Sequence, residues 1–183
     1  MSGKLFVISG ASGVGKSTVL AKVMAARENL SFSVSATTRA PREGEIDGQS
    51  YYFVSKQQFE DMIKQNAFVE YDAHMENYYG TPKAQLLEKL ESGDVILDIE
   101  PIGAFNVREV WPDAVLIFIA PPSQQELERR LRSRGDTEDH QLQVRMERAQ
   151  WEMEQSKKYD YVVINDQVDT CAEEILKILN KKV

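Results

Sequence analysis

Leu5 to Ser9 forms a continuous apolar run with no polar alternation, the mark of a strand buried on both faces. Val95–Leu97, Val115–Ile119 and Tyr161–Ile164 repeat that pattern further along the chain. Each run is followed by a stretch with helical spacing. From Lys16 to Ala26, for example, Val19, Leu20, Val23 and Met24 fall on one face. The alternation predicts β-α-β-α units around a parallel sheet, an α/β fold.

Capping patterns predict where helices start. Ser55-x-x-Gln58, Ser123-x-x-Glu126 and Thr170-x-x-Glu173 all have capping-box spacing. Behind Ser55, the residues Phe59, Met62 and Ile63 make a helical stripe read as core packing. Leu86, Leu87 and Leu90 do the same for a helix that follows Pro82 and ends near Gly93. Residues 31 to 80 break the pattern. They hold short β-type pieces rich in Tyr, Phe, Ser and Thr, separated by turns such as Glu43-Gly44 and Asp47-Gly48, and read as an inserted mixed β subdomain. Residues 128 to 158 form a long charged helical stretch interrupted at Gly135-Asp136.

The chain has 183 residues, enough for one domain with a sizeable core, and is 42% hydrophobic and 28% charged, an ordinary globular balance. With 22 Lys and Arg against 29 Asp and Glu, its net charge of -7 argues against a general nucleic-acid binder. The single cysteine, Cys171, cannot make an internal disulfide and reads as a small buried residue. No apolar run reaches the roughly 18 residues of a membrane span, and the first run is too short for a signal peptide. The expected setting is the cytoplasm, with no membrane or nucleic-acid partner; monomer and homodimer both stay open.

The candidate chemistry begins immediately after the first run. Gly10-Ala11-Ser12-Gly13-Val14-Gly15-Lys16-Ser17 stands between a predicted strand and a predicted helix. Phosphate oxygens need several converging donors, and a Gly-rich turn at a helix N-terminus supplies them from the backbone. Lys16 can reach β- and γ-phosphates, and Ser17 can place its hydroxyl on Mg²⁺. The bland reading is a mere strand-to-helix turn. Asp98 ends a buried strand, where a carboxylate can hold the metal or a metal-bound water, or simply cap the strand.

A phosphate loop alone fits a GTPase, a motor or a small-molecule kinase. Within the insertion, Arg39 and Arg42 stand three residues apart in a turn, with Tyr51-Tyr52 and Tyr78-Tyr79 as phenol donors. Paired guanidiniums suit a phosphate; a solvated turn and a half-buried strand are the plain alternatives. Glu70 interrupts the apolar stretch Phe68-Val69-Glu70-Tyr71. Guanine offers N1–H and N2–H₂ side by side to one carboxylate, whereas adenine would leave that carboxylate unpaired.

With these motifs in this order, the chain resembles the guanylate kinases across essentially its whole length. The matching stretches are the loop 10 to 17, Ser35-x-Thr-Thr-Arg-x-Pro-Arg42, Gly48-x-x-Tyr-Tyr-Phe53, Glu70, Asn77-Tyr-Tyr-Gly-Thr81, Leu97-Asp-Ile-Glu100, Arg130 to Gly135 and Tyr161 to Asp166. The resemblance implies a P-loop three-layer fold with a central parallel sheet. The core would span about 1–32, 82–127 and 145–183, with a GMP-binding subdomain over about 33–81 and a small lid over about 128–144. It implies transfer of the ATP γ-phosphate to GMP, and to dGMP, with Mg²⁺. The catalytic residues would be Lys16, Arg39, Arg134 and Arg145. ATP would be held by Gly10, Ala11, Ser12, Gly13, Val14, Gly15, Lys16, Ser17, Thr18, Arg130, Arg134 and Asn165. Arg39, Arg42, Tyr51 and Tyr79 would grip the GMP phosphate, and Ser35, Glu70, Thr81, Asp98 and Glu100 would complete that side. Ser17 and Asp98, the latter through water, would serve the metal.

Two positions depart from the family pattern. Glu100 leads into Pro101-Ile102-Gly103, which keeps the glycine and loses a polar side chain, and Gln167 replaces a common acidic residue. His74 and His140 have no partners at metal-ligand spacing and read as incidental. For Arg129, Arg132 and Arg148 a solvated helix face is at least as good a reading as a functional one. The residues also bear on three rival functions. A non-catalytic module on this scaffold tends to lose the loop that stands here intact. A kinase of another small molecule would not need Glu70 and Thr81 beside two arginines. A regulatory GTPase would carry an Asn-Lys-x-Asp motif, which the sequence lacks.

Overall fold

The four apolar runs become strands, and the computed structural model describes residues 3–74, 76–133 and 139–181, with side chains left aside at 74 and 139–141. In chain order the elements are β1 (Leu5–Gly10), α1 (Lys16–Ala25), β2 (Leu30–Phe32), β3 (Ala36–Thr37), β4 (Tyr52–Phe53), α2 (Lys56–Lys64), β5 (Phe68–His74) and β6 (Asn77–Pro82). They continue with α3 (Lys83–Ser92), β7 (Asp94–Asp98), α4 (Pro101–Val110), β8 (Val115–Ala120), α5 (Gln124–Arg132), α6 (Asp139–Gln155), β9 (Tyr161–Ile164) and α7 (Val168–Leu179). A short 3-10 turn, Ser156–Lys158, links α6 to β9.

The chain divides into two units: Met1–Val7 with Asn29–Ala114, and Ile8–Glu28 with Val115–Val183. The central sheet has the order β2-β7-β1-β8-β9, and β1 contributes residues to both units. The β2–β7 and β8–β9 pairs are parallel. Val7, Ile8, Val95, Ile96, Leu97 and Ile117 are fully buried, as doubly covered strands require.

The first unit also holds the inserted sheet, with the order β4-β3-β6-β5. Its β3–β4 pair is parallel, and its β3–β6 and β5–β6 pairs are antiparallel, so it is mixed. Its core is aromatic: Phe59 from α2 stacks on Phe68 at 4.4 Å and on Tyr78 at 5.2 Å between centroids. Gly80 lets β6 approach that stack, since a Cβ there would stand 2.9 Å from Phe68 and 3.0 Å from Phe59. The β5–β6 ladder shifts register between Phe68, opposite Pro82, and Glu70, opposite Thr81. One extra residue, Val69, is thereby accommodated in β5, and Glu70 faces Thr81 rather than Gly80.

The Ser55 capping box is complete: Ser55 Oγ accepts Gln58 N–H at 3.2 Å, and Gln58 Oε1 accepts Ser55 N–H at 2.8 Å. Ser123 closes only half of its box. Its Oγ accepts Glu126 N–H at 3.1 Å, while the Glu126 carboxylate turns to Arg129 and Arg130. The expected start at Thr170 is corrected, because α7 begins at Val168 with Gln167 as its N-cap and Thr170 falls inside the first turn. In the second unit, α1 and α7 are joined by the Lys22–Asp169 ion pair and by Arg27 donating to the Leu179 carbonyl at 3.4 Å.

Candidate active site

The loop from Gly10 to Ser17 lies between β1 and α1. Gly13 and Gly15 have φ of 84° and 93°, in the left-handed region that suits glycine. A side chain would also collide there: a Cβ at Gly13 would stand 2.5 Å from Leu131, and one at Gly15 would stand 3.0 Å from Asn165. Gly15 is the N-cap of α1 and has no side chain with which to cap it, so the positive end of the helix meets no capping side chain from that position. Ala11 and Val14 are buried, Lys16 is half-buried, and Ser17 and Thr18 are exposed.

Other parts of the second unit grip this loop from outside. The Val14 carbonyl accepts Asn165 Nδ2 at 2.8 Å and Arg130 Nη1 at 3.1 Å. The same guanidinium donates to the Asn165 carbonyl at 3.0 Å and through Nε to Glu126 at 2.7 Å. Arg130 and Asn165, singled out from the sequence for ATP, are thus braces of the loop in this structure. Glu126 sits well below the usual carboxylate range, at about 2, because Arg129 and Arg130 both hydrogen-bond to it. The Asn165 Oδ1 atom is buried and has no partner among the described residues.

On the first unit, Arg39 is held by Glu45, a residue the sequence reading passed over. Nη1 donates to Oε2 at 3.0 Å and Nη2 to Oε1 at 2.8 Å, a paired contact. Glu45 Oε2 also accepts the Arg42 N–H at 2.7 Å, and Tyr79 is a further hydrogen-bond partner of Arg39. The Arg39 guanidinium stands 5.4 Å from the Tyr51 ring centroid and 5.9 Å from that of Phe53. Tyr51 meets Tyr79 edge-on at 6.1 Å. Burial first, then the Asp98 charge, pushes the Tyr51 phenol above its usual range. Arg39, Arg42, Tyr51 and Tyr79 therefore come together, with Asp98 in electrostatic reach.

Glu70 is 7% exposed, and its Oε1 accepts the Thr81 hydroxyl at 2.6 Å. Its Oε2 lies against Gly103 of α4, where an added Cβ would stand 2.9 Å away. Burial raises the Glu70 carboxyl to about 7, with the Asp72 charge adding to the rise and Thr81 opposing it. Ser35 is half-buried and its carbonyl accepts Tyr52 N–H at 2.9 Å. Glu100 is exposed and forms the N-cap of α4, just before Pro101. Arg134 and the 134–138 part of the expected lid lie outside the described residues. Arg145 is half-buried on α6, and Arg129 and Arg132 are exposed and paired with neighbouring glutamates, as a solvated face requires.

Among the described residues no group of three or more His, Cys, Asp or Glu side chains forms a metal cage. The Ser17 hydroxyl, in the second unit, and the Asp98 carboxylate, in the first, are both exposed, and each is a hard oxygen donor of the kind that Mg²⁺ takes. Among the same residues no helix is long and apolar enough to cross a membrane.

A parallel sheet whose first strand feeds a Gly-rich loop and a helix N-terminus, together with a clustered Arg–Tyr–Glu set, defines a P-loop kinase. The family model described as guanylate kinase matches residues 2–182. The chain is 47% identical to a guanylate kinase of Thermus thermophilus over 180 residues, covering 98% of this chain and 81% of that one. It is 49% identical to a guanylate kinase of Clostridium tetani over 179 residues, covering 97% and 86%. The crystal structure of guanylate kinase from Anaplasma phagocytophilum superposes with a TM-score of 0.79 at 34% identity, over 97% of this chain and 85% of that one. A shikimate kinase from Bacteroides thetaiotaomicron, at 13% identity and a TM-score of 0.53, shares the fold alone. The chain belongs to the guanylate kinase family, the ATP-dependent kinases of GMP.

Proposed function

We propose that the Gly10–Ser17 loop holds the phosphates of ATP while Arg39, Arg42, Tyr51 and Tyr79 hold the phosphate of GMP, or of dGMP, and Glu70 with Thr81 reads guanine. The observation that carries this assignment is the buried Glu70–Thr81 pair, 2.6 Å across the β5–β6 ladder. A carboxylate buried to this degree calls for donors, and the adjacent N1–H and N2–H₂ of guanine supply two. The unpartnered Asn165 Oδ1 is likewise suited to the amino group of adenine on the donor side.

An acceptor phosphate oxygen is already an anion, so no general base is needed; alignment and charge neutralisation supply most of the effect. Lys16, Arg39, Arg134 and Arg145 are the cations for that task. Ser17 would hold Mg²⁺, with Asp98 acting on it through water, and the ion would neutralise charge on the phosphates. Closure of the inserted subdomain and the lid only when both nucleotides are bound would keep water from taking the phosphoryl group. A single, free and buried cysteine, Cys171, fits a reducing compartment such as the cytoplasm.

A coupled assay with ATP, Mg²⁺ and GMP, dGMP, AMP, UMP and CMP in turn tests the assignment. GMP and dGMP should turn over and the other three should lag by orders of magnitude. Comparable rates with AMP would overturn the Glu70 reading. ATP hydrolysis without GMP as fast as transfer would overturn closure.

A further inference from the structure

Glu152 stands on α6 and is 3% exposed, yet neither the donor chemistry nor the acceptor chemistry uses it. Its Oε2 accepts the backbone N–H of Ser12 at 2.7 Å, and its Oε1 accepts Arg148 Nε at 3.1 Å. Ser12 belongs to the phosphate loop. Burial and, secondarily, the Glu152 charge shift the buried Tyr159 phenol upward.

A buried carboxylate beside a loop meant for a triphosphate adds like charge where the ligand carries most of its own. It is tolerated because a main-chain N–H and a guanidinium both bind it. The Ser12 N–H committed to Glu152 is not offered to a phosphate, whereas the amides at the start of α1 meet no capping side chain from Gly15. Arg145, Arg148 and Glu152 stand at i, i+3 and i+7, on one stripe of α6. A bond from Glu152 to the loop therefore fixes the height of that stripe, and with it the placement of Arg145 two turns away.

We propose that Glu152 is a positioning residue for the donor half of the reaction: it anchors the Ser12 amide and sets the register of α6, and thereby of Arg145, against the phosphate loop. This rests on the reading that the loop holds the phosphates of ATP. Arg148, by the same geometry, serves as the counter-charge of Glu152.

The test compares Glu152→Gln and Glu152→Ala with the parent in steady-state assays that vary ATP and GMP separately, alongside ADP binding by titration and melting without nucleotide. Glutamine keeps the shape, but its amide group can satisfy only one of the two donors that face it. Glu152→Gln should raise the ATP KM or lower kcat about tenfold, the loss expected of one charge-assisted hydrogen bond. Its GMP KM should stay within about twofold of the parent. If Glu152→Ala does not fold, Glu152→Gln decides alone. A ratio of ATP to GMP effects near one, with a lower melting temperature, would make Glu152 only a brace of the fold and overturn the proposal; so would parental kinetics. Lys16→Met, run in parallel, separates the two readings. If it is inactive while Glu152→Gln is silent, only the Glu152 assignment falls; if it is fully active, the donor-loop reading itself falls and takes this one with it.

Discussion

Thr81 Oγ1 and Glu70 Oε1 are joined at 2.6 Å across a register shift in the β5–β6 ladder. One carboxylate oxygen is thereby spoken for, and the carboxyl plane is fixed for a base that arrives with two donors. Glu70→Gln replaces an acceptor with a donor, so it should raise the GMP KM by roughly ten- to a hundredfold while moving the ATP KM little. Kinetics with each substrate varied in turn give the answer, and unchanged GMP selectivity would rule out Glu70 as the reader of guanine.

The same carboxyl predicts a pH dependence. Its value of about 7 in the fold exceeds the ordinary 4.5. The folded state therefore binds the proton more tightly than the unfolded chain. This contribution to stability is fully present below about 4.5 and is lost as pH rises through about 7. On the proposed reading of Glu70 as the guanine acceptor, GMP needs the ionised form, so its binding should release a proton below pH 7, and its KM should fall as pH rises towards that value. Glu70→Gln should flatten this part of the profile, and because GMP carries the same titrating phosphate in both proteins, the difference isolates Glu70.

Glu45 predicts a second acceptor-side effect. By gripping Arg39 with two hydrogen bonds it holds the guanidinium ready over Tyr51. Glu45→Gln should raise the GMP KM about five- to twentyfold with little change for ATP. A fall in the GMP KM would mean instead that Glu45 competes with the phosphate for Arg39.

Packing in the inserted sheet predicts a stability effect. Gly80→Ala would drive a methyl group into Phe59 and Phe68. Overpacking of this kind costs about 1–3 kcal/mol, which for a chain of this length lowers the Tm by roughly 3–10 °C. Calorimetry would measure it, and a Tm equal to the parent's would show that the stack yields more easily than its contacts suggest.

The core strands were legible because their signal is local: a run such as Val115–Ile119 has only one comfortable place, inside a sheet. So was the Ser55 helix start, where both halves of the cap lie three residues apart. The two-residue strands β3 and β4 carry no such signal, since they are strands only by virtue of their partners. The shift at Val69 is equally hidden, being a relation between β5 and β6. The phosphate loop and Glu70 stood out because glycine or charge interrupts or follows an apolar run, and Arg39 because it is spaced three residues from Arg42 in a turn. Glu45 and Glu152 did not, because each lies among other charges. Arg148 reads as part of a solvated helix face; the burial of its partner Glu152 comes with a bond to Ser12, 140 residues earlier in the chain. Thr170 misled because its spacing to Glu173 matches a capping box, whereas α7 starts two residues earlier with Gln167 at the N-cap position and no side-chain cap.

The two bonds to the Val14 carbonyl have a consequence for the empty enzyme. Turning that peptide over, so that its oxygen faced an incoming anion, would break the contacts of both Asn165 and Arg130. On the proposed reading of the loop as the holder of the ATP phosphates, its polarity is set before any nucleotide binds, and little of the binding energy of ATP need be diverted to reshaping it.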